Sequence, residues 1–265
     1  MCYYNGTKVS REEKIRLRYL EKLVANYDFL SKPLHIGFEY SPAPVLKKLE
    51  PQEDFEIVQM EWGFLPSYLP DREAVSLFRS GYKKPNGDYQ QPIITLNAVS
   101  EELLQPRKIY REAALQRRCL VLSTGFYEWR HVFPANKRTG KPVKTPTKIP
   151  YRIKLKDKEY WYIAGIWTPW KDRNTGEYVE TFSIITTAAN SLMETIHNSK
   201  KRMPAILSDD LAWEWLFGDL SEERIAEIAK FQIPAENMEA YPIIKDFRQA
   251  IDPTVEAVYH ELACI

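Results

Sequence analysis

The run Cys119-Leu120-Val121-Leu122-Ser123-Thr124-Gly125-Phe126-Tyr127-Glu128-Trp129-Arg130 reads as two strands meeting at a break. Cys119 to Leu122 is a short continuous apolar run, the pattern of a buried strand. Gly125 interrupts it, and the chain resumes with aromatic side chains suited to a pleated surface. Outward from this stretch, further strands are predicted at Phe55–Trp62, Pro92–Leu96, Tyr151–Leu155, Tyr160–Trp167, Thr181–Thr187 and Met203–Leu207, with a short one over residues 2–6. Helices interleave with them. Ser10-Arg11-Glu12-Glu13 fits a capping box, and Ile15, Leu20, Leu23, Val24 and Tyr27 follow at helical spacing, predicting a helix to about residue 28. Pro106 opens another to about Gln116. Asn190 to Ile196 reads as a short helix, and Ser208 and Ser221 read as N-caps of helices over 209–217 and 222–231. Residues 31–51 hold four prolines and read as loop with brief extended pieces. The helices are too few for a repeated βαβ pattern, so the chain is read as one α+β domain, residues 1–265, on a mostly antiparallel sheet.

Composition narrows the function classes. The 37 Lys and Arg against 36 Asp and Glu leave +1, so global charge selects no partner. No run reaches the roughly 18 apolar residues of a membrane span, and no basic segment followed by an apolar one opens the chain, so no membrane span or secretory leader is expected. Three widely spaced cysteines, Cys2, Cys119 and Cys264, form no even framework and point to a reducing, cytoplasmic or otherwise intracellular setting. No CxxC pair occurs, and neither a metal nor another cofactor is expected. Lys137, Arg138, Lys141, Lys144 and Lys148 lie in the stretch 134–149 with no acidic residue, which fits either a solvated tip or a polyanion-contacting loop.

Several residues can carry chemistry. Cys2 follows Met1 and is small enough for Met1 to be trimmed, which would leave an amine and a thiol on one residue. These titrate near 7.7–8.0 and about 8.5 when unperturbed. Such a 1,2-aminothiol traps an aldehyde as a Schiff base that the thiol closes into a thiazolidine. Glu128 stands between aromatics, where poor solvation raises a carboxyl pKa and suits it to proton transfer, although an outward-facing strand Glu has the same pattern. His197 precedes Lys200-Lys201-Arg202 and can serve as acid, base or phosphate ligand; a surface histidine reads equally well. Asn97 at a strand end can bond a sugar or the N-terminus, or simply form a turn. Trp62 and Phe64 suit a core, or stacking on a base.

Taken in order, Met1-Cys2, Trp62-Gly63-Phe64-Leu65-Pro66, Asn97-Ala98-Val99-Ser100-Glu101, Gly125-Phe126-Tyr127-Glu128-Trp129 and His197 with Arg202-Met203-Pro204 resemble the SRAP family, the SOS response-associated peptidase proteins that crosslink abasic sites in DNA. The resemblance runs from residue 2 to about 207. It implies a barrel-like, branched sheet surrounded by helices. It further implies that Cys2, freed of Met1, captures the ring-opened aldehyde of an abasic site in single-stranded DNA, with self-processing of the N-terminus and lyase chemistry as companions. On that likeness Glu128 is the proton shuttle, His197 assists ring opening and meets a phosphate, and Asn97 orients the N-terminus and sugar. Arg202 holds a phosphate, Pro42 is a pocket proline, and Trp62, Phe64, Leu65 and Pro66 line the DNA path. The expected protein is a monomer. Tyr3-Tyr4 stand where the family has Gly-Arg, Val99 replaces an Arg, Glu39 replaces an Asn, and four residues separate His197 from Arg202 where one is common. Lys200, Lys201 and the basic loop are the expected substitutes for the lost phosphate ligand.

Three other readings compete. One is a thiol hydrolase using Cys2 with its own amine, or with His197 and Glu128. Another is a non-enzymatic reader of unusual DNA. The last is an α+β domain in which Cys2 is simply buried.

Overall fold

The computed structural model describes residues 2–136 and 138–262, so Met1, Lys137 of the basic loop and Cys264 fall outside the described residues. In chain order the strands are β1 (Tyr4–Gly6), β2 (Lys14–Leu17), β3 (Leu20–Leu23), β4 (His35–Ile36), β5 (Pro42–Leu49), β6 (Asp54–Trp62), β7 (Tyr82–Lys83), β8 (Tyr89–Gln90), β9 (Asn97–Val99), β10 (Arg118–Ser123), β11 (Gly125–Val132), β12 (Thr147–Leu155), β13 (Trp161–Lys171), β14 (Tyr178–Ala188), β15 (Arg202–Pro204), β16 (Ile206–Leu207) and β17 (Met238–Pro242). The α-helices are α1 (Arg72–Ser80), α2 (Arg111–Gln116), α3 (Ser191–Ile196), α4 (Asp209–Phe217) and α5 (Glu222–Ala229).

Strands β14, β6, β5, β10 and β13 pair in that order, and β13 pairs back with β14, which closes a barrel. Closure removes the free edges that an open sheet would expose. Residues of β10 alternate between two cores. Leu120 and Leu122 join the cluster that α2, α4 and α5 cover, while Cys119 and Val121 face a second cluster shared with Cys2, Trp62 and Phe126. The barrel is branched on β14. β13 and β14 pair from Gly165 to Lys171 and then part. β16 takes the freed edge of β13, β15 takes that of β14, and Ala205 between them bonds Ala164 and Ile185 at 2.9 Å each. On its other edge β14 carries β6 and then β9, both parallel; the other pairings are antiparallel. A second sheet, ordered β17-β12-β11-β1-β4, is reached where β10 runs on through Thr124 into β11.

The α+β class, the barrel and the caps of α3, α4 and α5 agree with the sequence. Asn190, Ser208 and Ser221 accept from Met193, Leu211 and Arg224 backbone N–H groups. Other expectations need correction. The helix expected to about residue 28 is the hairpin β2–β3. Its backbone groups are taken by tyrosine hydroxyls: Arg16 N–H donates to Tyr160 at 2.8 Å, Tyr160 donates to the Lys14 carbonyl at 2.8 Å, and Tyr162 donates to the Arg16 carbonyl at 2.6 Å. The capping box does not form, because Ser10 N–H donates to Glu159 and the Glu13 carboxylate turns to Lys14 N–H and Arg16. Residues 42–49, expected as loop with brief extended pieces, are the continuous eight-residue strand β5. Its Pro42 and Pro44 lie outside the Val45–Lys47 span that β10 pairs, so their missing N–H groups break no bond there. The strand expected at Pro92–Leu96 begins instead at Asn97, and the helix after Pro106 covers only Arg111–Gln116. Helix α1 carried no reading from sequence; Asp71 caps it by accepting from Ala74 N–H.

One contact sets where β1 sits. Gly6 faces Gly125 across the β1–β11 pair, and a Cβ on Gly6 would stand 2.6 Å from the Pro33 carbonyl oxygen. Asn5 beside it donates to the Leu122 carbonyl at 2.8 Å, stitching β1 to the barrel strand as well. Gly6→Ala is therefore expected to cost about 1–3 kcal/mol, the usual penalty of overpacking, read as a lower denaturation midpoint. An unchanged midpoint would mean that the Pro33 segment yields freely.

Candidate active site

β1 pairs with β11 at Asn5–Phe126 and Gly6–Gly125. Extending that antiparallel register sets Tyr3 beside Glu128 and brings Cys2 to the end of the strand. Cys2 is fully buried, and its thiol lies 3.7 Å from the Tyr4 carbonyl. Glu128 is 5% exposed, as is His197. A cleft of about 260 Å³ opens at this point, walled by Tyr3, Glu128, Trp129 and His197. His131, Lys148, Ser199 and Lys200 complete its lining.

His197 arrives from the branch of the barrel. Helix α3 ends at Ile196, and a tight turn returns the chain to β15, with Lys201 N–H donating to the His197 carbonyl at 2.8 Å. The ring is fixed by a 2.8 Å bond from Nδ1 to the Arg202 carbonyl. A carbonyl only accepts, so Nδ1 carries the hydrogen and Nε2 presents a lone pair. Nε2 stands 3.7 Å from Glu128 Oε2, close enough for charge coupling and too long for a direct hydrogen bond. Asn198 locks this turn to β11: His131 N–H donates to its Oδ1 at 3.0 Å, and its Nδ2 donates to the His131 carbonyl at 2.9 Å. The side-chain amide thus occupies the β11 edge beyond the end of β1.

Loss of water shifts all three groups toward their neutral forms. Burial raises the Glu128 carboxyl from the ordinary 4.5 to about 7. Burial lowers the His197 imidazole to about 4, with the nearby Lys200 charge acting in the same direction. Burial and then the Glu128 charge push the Cys2 thiol up to about 12. At neutral pH the site therefore holds a thiol, a neutral imidazole and a carboxyl poised between its two states. Among the described residues no group of three or more His, Cys, Asp or Glu is arranged to hold a metal.

The structure brings together Cys2, Glu128, His197 and Lys200 from the sequence expectations. Asn97 lies apart from the cleft lining, 6% exposed on β9, yet both polar atoms of its amide lack a hydrogen-bond partner among the described residues. Such buried polar atoms are rare, which keeps it a candidate binding group. Arg202 is committed within the fold: its guanidinium forms bonds of 2.6 and 2.8 Å to Glu101 and also donates to the Thr186 carbonyl. Its contribution to the cleft is the carbonyl that orients His197, not a free cation. Lys201 is exposed beside Glu194 at 3.9 Å, outside the cleft lining. Pro42 is exposed at the start of β5. Trp62, Phe64, Leu65 and Pro66, expected along a DNA path, are buried. The Trp62 indole N–H donates to the Leu96 carbonyl at 2.9 Å and its ring stacks on Phe182, so these are packing residues. Lys148, expected as part of a polyanion-contacting loop, lines the cleft, whereas sequence reasoning passed over Tyr3, Trp129, His131 and Asn198 as site residues. His131 showed no suggestive neighbour along the chain because Lys148, directly opposite it, belongs to the next strand, β12.

With this geometry established, comparison with known proteins gives a consistent result. The chain resembles the "Abasic site processing protein YoqW" of Bacillus subtilis (strain 168), 28% identical over 210 residues that cover 79% of each chain. It is 30% identical over 230 residues to the "Abasic site processing protein HMCES" of Gallus gallus, covering 78% of this chain and 60% of that one. A crystal structure of a Bacteroides thetaiotaomicron protein superposes with a TM-score of 0.71 at 29% identity, over 97% of this chain and all of the other. The family model for SOS response associated peptidase (SRAP) matches residues 38–250, which span the barrel, Glu128 and His197, and the chain belongs to that family.

Proposed function

We propose that this single-domain protein binds single-stranded DNA and captures an abasic site covalently through Cys2. The observation that carries the reading is that buried Cys2 feels the charge of Glu128, which with His197 walls the cleft beside the start of β1. The names of the abasic site processing relatives support the same substrate class.

In this reading Met1 is removed, which frees the Cys2 amine. An abasic sugar rests mainly as a closed hemiacetal. Opening it requires one group to take the hydroxyl proton and another to protonate the ring oxygen. Glu128, near 7, can hold or release a proton at neutral pH, and the His197 Nε2 lone pair can accept one. The amine then adds to the aldehyde carbon and water leaves, giving an imine. The thiol adds across the C=N bond, its proton passing to nitrogen, and a thiazolidine closes. The balance is one aldehyde and one aminothiol in, one water out. The protonated thiol argues against a resting thiolate–imidazolium pair, the form of the hydrolase reading that joins Cys2 to His197. Lys148 and Lys200 at the cleft are suited to the flanking phosphates. Phosphate contacts position a strand without reading sequence, which fits a lesion that lacks a base.

A denaturing gel with single-stranded DNA bearing one abasic site tests the reading. The parent is expected to give a denaturation-resistant shift and Cys2→Ala none. Glu128→Gln and His197→Ala are expected to slow the shift by about 10²–10⁴-fold. A full-strength adduct from Cys2→Ala would refute the proposal.

Glu128 also couples stability to pH. A carboxyl whose folded value lies above its unfolded one favours the protonated fold, so its stabilising effect is complete below about 4.5 and is lost as pH rises through about 7. Glu128→Gln removes that loss. Between pH 4 and pH 8.5 the variant is expected to gain on the order of 2–3 kcal/mol relative to the parent, measured by denaturant unfolding at both values. A gap that does not change with pH would show that burial does not perturb this carboxyl.

Binding to the same strand with a non-reactive abasic analogue should weaken with salt at roughly −0.7 in log–log slope per phosphate contacted. Lys148→Gln with Lys200→Gln should flatten that slope by about 1.4. An unchanged slope would remove the two lysines from the phosphate path.

A further inference from the structure

We infer that Phe38 is a stacking platform for the nucleobase next to the abasic site, so that the protein holds the flanking nucleotide as well as the lesion. The inference rests on the abasic-site reading above and adds a subsite to it. Phe38 lies in the 3₁₀ turn Gly37–Glu39 and is 44% exposed. Its ring stands 4.7 Å from that of Tyr3, tilted by 50°. Tyr3 itself walls the cleft. One aromatic step therefore leads from the lesion cleft to an open ring. Every base has a π-face, and stacking on an aromatic side chain is tolerant of sequence.

The platform is held in place by backbone. Gly37 N–H donates to the Tyr3 carbonyl at 2.8 Å, so the turn that carries Phe38 is tied to the residue after Cys2. A Cβ on Gly37 would stand 3.0 Å from a Leu96 methyl group and 3.3 Å from the Tyr3 carbonyl oxygen, which marks how closely the turn is seated. The other aromatic at the cleft, Trp129, is covered by Tyr4 at 4.9 Å and Phe247 at 5.7 Å, between centroids. Phe38 keeps the exposed ring.

Charge orients the strand. The same turn carries exposed Glu39, which repels phosphate. The cleft carries Lys148 and Lys200, both exposed, and neither forms an ion pair among the described residues. Phosphates drawn to the lysines and repelled by Glu39 leave the Phe38 turn to a base rather than to the backbone. The burial of Trp62 and Phe64 removes the aromatics that sequence pattern had offered for stacking, and Phe38 supplies one by another route.

The test uses single-stranded DNA with a tetrahydrofuran abasic analogue, which has no aldehyde, and 2-aminopurine placed at one flanking position or the other. Parent protein is expected to quench the fluorophore in one of the two placements. Phe38→Ala should lose that quenching and bind about tenfold more weakly, while Phe38→Trp restores both. Phe133→Ala, which removes an aromatic of similar exposure that does not line the cleft, should bind like the parent. Quenching and affinity that survive in Phe38→Ala, or that fall instead in Phe133→Ala, would overturn the inference. In parallel, the parent is mixed with aldehyde-bearing abasic DNA. Failure of the parent to crosslink would count against the underlying reading, whereas a crosslinking parent with an indifferent Phe38 counts against the platform alone. Binding equal on intact single strands and analogue-bearing strands, with no quenching at either flank, would also overturn it and leave the exposed ring to a protein partner.

Discussion

The seating of β1 on β11 depends on two facing glycines, one packed against backbone and the other against the Arg152 guanidinium. Gly6 closes against the Pro33 carbonyl, and a Cβ on Gly125 would stand 2.8 Å from Arg152 Nε. They face each other in the pair. Cys2 lies four residues before Gly6, and Glu128 three after Gly125. A slip of one residue would turn every side chain of the short strand to the opposite face and carry Tyr3 away from Glu128. Arg152 secures the same crossing by donating to the Thr124 carbonyl at 2.9 Å and to the Tyr241 hydroxyl at 2.7 Å.

The second determinant is the branch in the barrel. Where β13 and β14 part, the segment Arg202–Leu207 fills the gap, and the turn just before it carries His197. The imidazole is then held from two sides, by the Arg202 carbonyl on its ring and by Asn198 on the edge of β11. The loop between His197 and Arg202 is thus pinned at its first residue, Asn198. The next two residues, Ser199 and Lys200, are carried to the lining of the cleft. Arg202 is held by Glu101, whose carboxyl that guanidinium keeps at about 2, well below the usual range.

A single physical cause, loss of water, then sets the chemistry. It favours the neutral form of each group, raising the acid and the thiol and lowering the imidazole. Proton transfers among such groups move little net charge through a medium that solvates charge poorly. Positive charge is kept to the exposed lysines at the cleft, where water shares its cost and a phosphate can displace that water.

Much of this was legible in the chain. The apolar run Cys119–Leu122, the alternating strands and the capping residues Asn190, Ser208 and Ser221 are local signals, and local physics honours them. The ordered motifs with Cys2, Glu128 and His197 pointed to the family that the comparisons then gave. Other features were not local. The hairpin at Lys14–Leu23 mimicked helical spacing, and only bonds from Tyr160 and Tyr162, about 145 residues away, decided against the helix. Arg202 looked like a free cation until Glu101 engaged it, and Trp62 and Phe64 looked available until Phe182 and Tyr110 packed against them. By itself, then, the sequence determined the fold class, the family and the types of groups that could react, because these depend on short-range pattern. The tertiary structure alone decided which of those groups are buried beside one cleft, which cations remain unpaired among the described residues and which aromatic next to the cleft stays exposed, because desolvation and partnering arise only when segments distant in the chain come into contact.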